Sequence, residues 1–330
     1  MPFYSGKNQF PVESKTVLIT GGSKGMGLSV ARQLAAKGAN IIIVARDLEK
    51  LKEANQYISE GALSPEQFFH YISADLTIPT ESQRIISEAT SINHGLPPDI
   101  VWCCAGSSYP TIFVDTPIVE LRNMMDSNYF TAAYMAHAAL NAWLKPPPKQ
   151  SSFSTFQSNA SPRHLIFTAS LLSFFTLAGY APYSPTKAAL RSLADTLSNE
   201  MNLYSSNVRL HTIFPATIFT ESYEAENRVK SDLTKKLEEG DAGQTADEVA
   251  RRSIKGLERG EEMVPTTFMC RLLMCGVLGG SLRNGWGLLD TLLSWVMSLV
   301  MVFVRWDMDG KVKRWRKEHG ESGMKKRRDE

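Results

Sequence analysis

Tyr183 and Lys187 stand four residues apart in Tyr183-Ser184-Pro185-Thr186-Lys187, a segment that opens a helix, so both side chains project from one face. A tyrosine with an ordinary pKa of about 10 is a poor proton donor near neutral pH until a neighbouring cation lowers that value, and Lys187 is placed to do so. Thirteen residues upstream, Ser170 follows an apolar run, at a strand end where parallel sheets hold ligands. A hydroxyl, a phenol and an ammonium in one mouth suit the protonation of an oxygen on which negative charge develops.

A second constellation begins the chain's regular structure. Thr20-Gly21-Gly22-Ser23-Lys24-Gly25-Met26-Gly27 follows an apolar strand and runs into a helix. Glycines at 21, 25 and 27 permit a tight turn and close backbone approach, and the free N–H groups of the helix start suit a pyrophosphate. About 20 residues further on, where a carboxylate would hold a ribose 2′-hydroxyl, the second strand ends Val44-Ala45-Arg46. Arg46 and Lys24 suit a 2′-phosphate instead, so the expected cofactor is NADPH and the candidate contacts are Gly21, Ser23, Lys24, Gly25, Gly27 and Arg46. Asp47, one position late, is the opposing signal.

The elements that must position these groups alternate. Thr16–Thr20, Asn40–Ala45, Phe68–Ser73, Ile100–Cys104, His164–Ala169 and Val208–Phe214 are nearly continuous apolar runs, the pattern of strands buried on both faces. Between them, Leu28–Lys37, Leu48–Glu60, Thr80–Asn93, Val119–Leu144 and Ser184–Tyr204 have helical spacing. Strand-helix-strand repetition predicts an α/β fold with a parallel sheet covered on both faces, starting at Lys15 after an N-terminal segment of residues 1–14. Residues 145–162, rich in proline and serine, are expected to be a disordered insertion containing a chance glycosylation sequon at Asn159. Thr217–Gly243 is polar and is a candidate substrate lid, before a helix capped at Thr245-Ala246-Asp247-Glu248.

Composition narrows the class. Of 330 residues, 43% are hydrophobic and 21% charged, which excludes a disordered or fibrous chain. The net charge of +2 conceals a surplus of four positive charges from Arg305 to Glu330, so the basicity belongs to the tail and a nucleic-acid face on the body is not expected. Four cysteines without a CxxC pair exclude a disulfide scaffold and a zinc ribbon, and six scattered histidines give no metal-ligand spacing. Cys103 and Cys104, adjacent in an apolar run, read as small buried residues.

Together these motifs resemble the short-chain dehydrogenase/reductase family over residues 15–264, which implies a doubly wound, Rossmann-type sheet and a catalytic domain of that extent. By that resemblance Asp75-Leu76 occupies the position beside the adenine, Asn128 is the fourth catalytic residue, with Ser170, Tyr183 and Lys187, and positions a water. Ala105 and Gly106 belong to the cofactor loop, and Pro215 and Thr220 to the segment beside the nicotinamide, with Ala216 in place of the family's glycine. Cys103-Cys104-Ala105-Gly106 replaces the family's Asn-Asn-Ala-Gly and removes an asparagine that braces the sheet. The resemblance implies ketone reduction by NADPH, with Tyr183 as acid, and family members are often homo-oligomers.

The segment Leu171–Leu177 is expected to give the pocket an apolar wall, and the pattern from Thr168 to Lys187 is most similar to the branch that reduces 3-ketodihydrosphingosine. Membrane-bound steroid or retinoid reductases of the family are the alternative, and a non-catalytic NADPH sensor or scaffold is a third. Thr266–Leu282 and Trp286–Val304 are two apolar arms around an Arg283-Asn284-Gly285 turn. They predict a membrane hairpin over residues 265–306, spanning or dipping into one leaflet, with a basic tail over 307–330. The N-terminus lacks a secretory run, so the catalytic domain is expected on the cytosolic face of the endoplasmic reticulum membrane, with a long-chain keto-lipid as substrate.

Overall fold

A computed structural model describes residues 7–145, 161–204, 207–284 and 287–325. Seven parallel strands form one sheet: β1 (Thr16–Thr20), β2 (Asn40–Ala45), β3 (Phe69–Ser73), β4 (Ile100–Cys103), β5 (Arg163–Thr168), β6 (Val208–Phe214) and an outer strand, β9 (Met263–Pro265). A small separate pair, β7 (Ile218–Phe219) and β8 (Gln244–Thr245), lies near the end of β6 in sequence. The strand order is β3-β2-β1-β4-β5-β6-β9, so the chain steps outward one way from β1 and then restarts the other way at β4. That reversal opens a crevice at the carboxyl ends of β1 and β4, the usual ligand position in such sheets.

Alternate strand residues explain the continuous apolar runs. Val17, Ile19, Ile41 and Ile43 pack under α1 (Gly25–Ala35), α2 (Leu48–Ser59) and α9 (Ala246–Glu258). Leu18, Ile42, Val44 and Val101 meet α3 (Pro79–Ile92), α5 (Thr131–Leu144) and α6 (Ser184–Glu200) on the other face. Both faces are covered, as the unbroken runs require. The ordered fold begins earlier than Lys15: Phe10 is 1% exposed and packs edge-on against His164, with ring centroids 4.9 Å apart.

The predicted helix Val119–Leu144 is present but not continuous. It divides into α4 (Ile118–Met125), a π turn (Asp126–Phe130) and α5. Composition carries no sign of such a change in hydrogen-bond register, and π turns concentrate at functional positions. The Thr217–Gly243 stretch holds two capped helices, α7 (Glu221–Val229) and α8 (Asp232–Leu237), with Thr220 and Ser231 accepting the capping N–H groups. The helix cap at Thr245 forms, its hydroxyl accepting from the Glu248 N–H at 3.1 Å, while the Glu248 carboxylate pairs with Arg252. Residues 146–160, which contain most of the predicted insertion and Asn159 of the sequon, lie outside the described residues.

The two apolar arms form different elements. The first becomes α10 (Phe268–Cys275), far too short to span, with Cys270, Leu273, Met274 and Cys275 buried in a cluster with Phe174 and Phe214. Its apolar character reflects a core position that composition alone cannot distinguish from a lipid-facing one. The second arm and the first part of the tail merge into one helix, α11 (Leu288–His319), long and apolar enough to cross a membrane. Asp290, near its start, is buried against Arg271 at 2.8 Å.

Candidate active site

Parallel register aligns the carboxyl ends of the central strands. Thr20 pairs with Val44 and Cys103, Cys103 with Phe167, and Thr168 with Ile213. The residues that follow these ends therefore share one rim, around a cavity of about 700 Å³. Every candidate residue lies on it. One end holds Gly21, Ser23, Lys24, Gly25, Gly27 and Arg46, with Asp75, Leu76, Ala105 and Gly106 beside them. The middle holds Asn128, Ser170, Tyr183, Lys187, Pro215 and Thr220.

The glycine turn requires glycine for physical reasons. Gly21 and Gly25 have φ of +67° and +54°, and a Cβ at Gly27 would stand 2.3 Å from the Gly21 carbonyl oxygen. A Cβ at Gly106 would meet Asn128 Oδ1 at 2.6 Å. Backbone thus lines this end, leaving a cradle that a dinucleotide pyrophosphate fits at the start of α1. Asp47 caps α2, accepting from the N–H groups of Glu49 and Lys50 at 3.1 Å, so its carboxylate serves the helix. Asp75 is an Asx-type turn at the end of β3. Its Oδ1 accepts from the Thr77 N–H at 3.0 Å and hydroxyl at 2.7 Å, which holds its pKa below the usual range.

Cys103 and Cys104 do not leave the sheet end unbraced. The Thr20 hydroxyl accepts from the backbone N–H groups of Cys104 and Ala105 at 3.1 and 3.2 Å. Trp102 Nε1 donates to Thr168 Oγ1 at 3.2 Å, and that hydroxyl donates to Cys104 Sγ at 3.5 Å. Burial raises both thiols, Cys104 to about 12, so they stay protonated.

Lys187 is 5% exposed and donates to the Thr168 carbonyl at 3.0 Å. Burial lowers it to about 8. Its Nζ stands 5.7 Å from the centroid of the Tyr183 ring. The expectation that Lys187 depresses the Tyr183 phenol is not met: burial pushes Tyr183 up, the adjacent Ser170 hydroxyl opposes it, and Glu226 pushes up again. A desolvated ammonium facing a carbonyl has less effect on its neighbour than the phenol's own loss of water. The phenol is therefore a firmly protonated donor.

Asn128 is fully buried in the π turn. Its Nδ2 donates to the Ser107 carbonyl at 2.9 Å and its Oδ1 accepts from the Ser107 N–H at 3.0 Å. Its side chain braces the loop after β4 through both of its polar atoms.

Beyond Tyr183 the cavity has one apolar and one polar wall. Leu171, Leu172, Phe175 and Leu177 line the first, while Phe174 packs against Phe214 in a tilted pair with ring centroids 4.4 Å apart. Tyr180, Tyr223, Glu226 and Glu238 line the second. Glu238 accepts from the Tyr180 hydroxyl at 2.5 Å and from the buried Lys230 ammonium at 2.7 Å. Most of this wall comes from α7 and α8 of the Thr217–Gly243 stretch, expected from sequence as a polar candidate lid but without Tyr223, Glu226 or Glu238 singled out. The spacing of Glu226 and Lys230 was its one signal.

Known proteins agree with this architecture. A Mycobacterium ulcerans short-chain type dehydrogenase/reductase has the same fold, at a TM-score of 0.63 and 23% identity, covering 78% of this chain and 89% of that one. The 3-ketodihydrosphingosine reductase ksrA of Aspergillus fumigatus is 48% identical over 95% of this chain and 88% of its own length. The corresponding gsl-3 protein of Neurospora crassa is 44% identical over 97% of this chain and 87% of its own length. The short chain dehydrogenase family model matches residues 15–230, which contain the glycine turn, Ser170, Tyr183 and Lys187. A nicotinamide-binding sheet end, a serine-tyrosine-lysine set at its mouth and a match over most of the chain have one reading: the chain belongs to the short chain dehydrogenase family.

Proposed function

We propose that this chain reduces 3-ketodihydrosphingosine to dihydrosphingosine with NADPH, at the cytosolic face of the endoplasmic reticulum membrane. The observation that carries the reading is Ser170 and Tyr183 at the mouth of a cavity whose far wall is Leu171, Leu172, Phe175 and Leu177. That wall suits a long alkyl chain, and relatives sharing nearly half their residues with this chain bear the same substrate in their names. Arg46 and Lys24, with no carboxylate at Ala45, favour NADPH over NADH.

Gly21–Gly27, Pro215 and Thr220 would hold the cofactor, which would supply a hydride when bound. Ser170 and Tyr183 hydrogen-bond the substrate oxygen and stabilise the charge that grows there. Tyr183, held protonated by burial, gives its proton to that oxygen. Lys187, fixed by the Thr168 carbonyl, would hold the cofactor ribose, and Asn128 holds the Ser107 loop.

The test is NADPH oxidation by the purified chain with 3-ketodihydrosphingosine, a steroid ketone and retinal in parallel. Turnover with the sphingoid ketone alone is expected. Turnover restricted to the steroid or retinal would replace this reading with the alternative, and NADPH binding without turnover of any would leave a sensor.

A further inference from the structure

The polar wall bears a charge that the reaction itself does not need. Lys230 and Glu238 neutralise each other at 2.7 Å, and Glu238 also takes the Tyr180 hydroxyl. Lys187 faces the Thr168 carbonyl on the cofactor side. Glu226, on α7, lines the same cavity as Tyr183, lies beside the Ser108 hydroxyl, and makes no ion pair among the described residues. Lys230 acts on it only at a distance, its ammonium being in contact with Glu238. A carboxylate removed from water without a cation in contact is costly, and burial accordingly raises the Glu226 pKa. Glu226 is near enough to Tyr183 to raise the phenol as well.

The proposed substrate carries a primary amine on the carbon next to its ketone. With the ketone oxygen on Tyr183 and Ser170, that amine lies two bonds from the reacting carbon, inside the cavity that Glu226 also lines. We propose that the Glu226 carboxylate receives this substrate ammonium, so that Glu226 selects a 2-amino ketone over an otherwise identical ketone. The proposal rests on the functional reading above. It accounts for a half-buried charge that a steroid ketone or retinal, which bring no cation, would leave without a cation in contact.

The test compares 3-ketodihydrosphingosine with 1-hydroxyoctadecan-3-one, the same chain without the amine, in wild type and Glu226→Gln, with NADPH binding as the control for folding. A charge-assisted contact of ordinary strength predicts that wild type prefers the amino ketone by roughly 10- to 100-fold in kcat/KM. Glu226→Gln should lose that preference mainly through KM, whereas any effect it has through Tyr183 falls on both ketones alike. Equal use of both ketones by wild type overturns the proposal without reference to any variant. So does a preference that persists in Glu226→Gln, or an equal loss on both ketones. If wild type reduces neither ketone, the functional reading itself fails, an outcome distinct from all of these.

Discussion

A phenol buried beside a serine hydroxyl keeps its proton until a stronger base forms next to it, and a ketone accepting hydride becomes such a base. At neutral pH Tyr183 therefore enters the reaction protonated, and its raised pKa means that it gives up the proton only as charge grows on the substrate oxygen. Tyr183→Phe should lower kcat by about 10²–10⁴-fold, the usual value of a positioned acid, while NADPH binding persists. Near-normal turnover in a stopped assay would remove Tyr183 from the mechanism. Arg46→Ala tests the cofactor end: losing a charge-assisted bond to a 2′-phosphate should weaken NADPH by roughly 10- to 100-fold and leave NADH almost unchanged. Equal losses by fluorescence titration would make Arg46 structural. Ser170, Tyr183, Lys187 and the glycines were readable because hydride-coupled proton transfer and close phosphate approach each demand particular side chains. What Lys187 does to Tyr183 was not, since it depends on burial rather than spacing. Glu226 was not readable either: its significance comes from Lys230 turning toward Glu238, eight residues on, instead of toward Glu226.

Between β5 and β6 lies a buried pair whose protonation matters to these elements. His211 Nδ1 is 2.7 Å from the Glu261 carbonyl oxygen and so carries the proton it donates there. Its Nε2 is then the acceptor for His164 Nδ1 at 2.9 Å. Both rings are neutral donors in this chain of bonds. Burial lowers His164 well below its ordinary value and His211 to about 4. Both folded pKa values are depressed, so above an unfolded pKa of about 6.5 neither histidine makes stability depend on pH. As pH falls below that, the unfolded chain binds protons that the folded one refuses, and stability declines until the folded pKa is reached. The His211 shift alone predicts a loss of about 3 kcal/mol on approaching pH 4. Chemical denaturation at pH 7.5 and 5.0 should show a clear fall in midpoint at the lower pH, and an unchanged midpoint would refute the pair's role. The bounds of β1, β2 and β6 were readable because each run stops at a glycine, charge or proline. The π turn at Asn128 and the burial of Phe10 against His164 were not, because one is a change in register and the other a long-range contact.

Over the whole molecule, α11 lies along the catalytic domain and is held at both ends. Asp290 anchors its start through Arg271 and the Asn284 N–H. At its far end Trp315 is 6% exposed and donates to the Ser322 carbonyl, and the Leu233 N–H of α8 donates to the Gly323 carbonyl at 2.9 Å. Its 32 residues are about 48 Å long at roughly 1.5 Å each, more than the ~30 Å of a bilayer core. A transverse span would separate two ends that both touch one domain, so the geometry favours a helix lying in one leaflet. The outward stripe supports this: Trp295, Leu299 and Phe303, four residues apart in turn, are 70%, 71% and 67% exposed. Lys311, Lys313, Arg314, Arg316 and Lys317 follow the stripe, suited to anionic headgroups. Leu273 of α10 and Met308 of α11 both line the active cavity, so a leaflet beneath the stripe would meet the cavity that takes the lipid ketone. Apolar length was readable from sequence and the docking of its ends was not, which is why the arms first suggested a hairpin. Replacing Trp295, Leu299 and Phe303 together by glutamate should abolish flotation with phosphatidylcholine–phosphatidylserine vesicles while NADPH binding and reduction of a short, water-soluble amino ketone persist. A triple variant that still floats would refute the in-plane helix. So would a tag after Glu330 that protease cannot reach on intact microsomes, because an in-plane helix leaves both of its ends on the side of the catalytic domain.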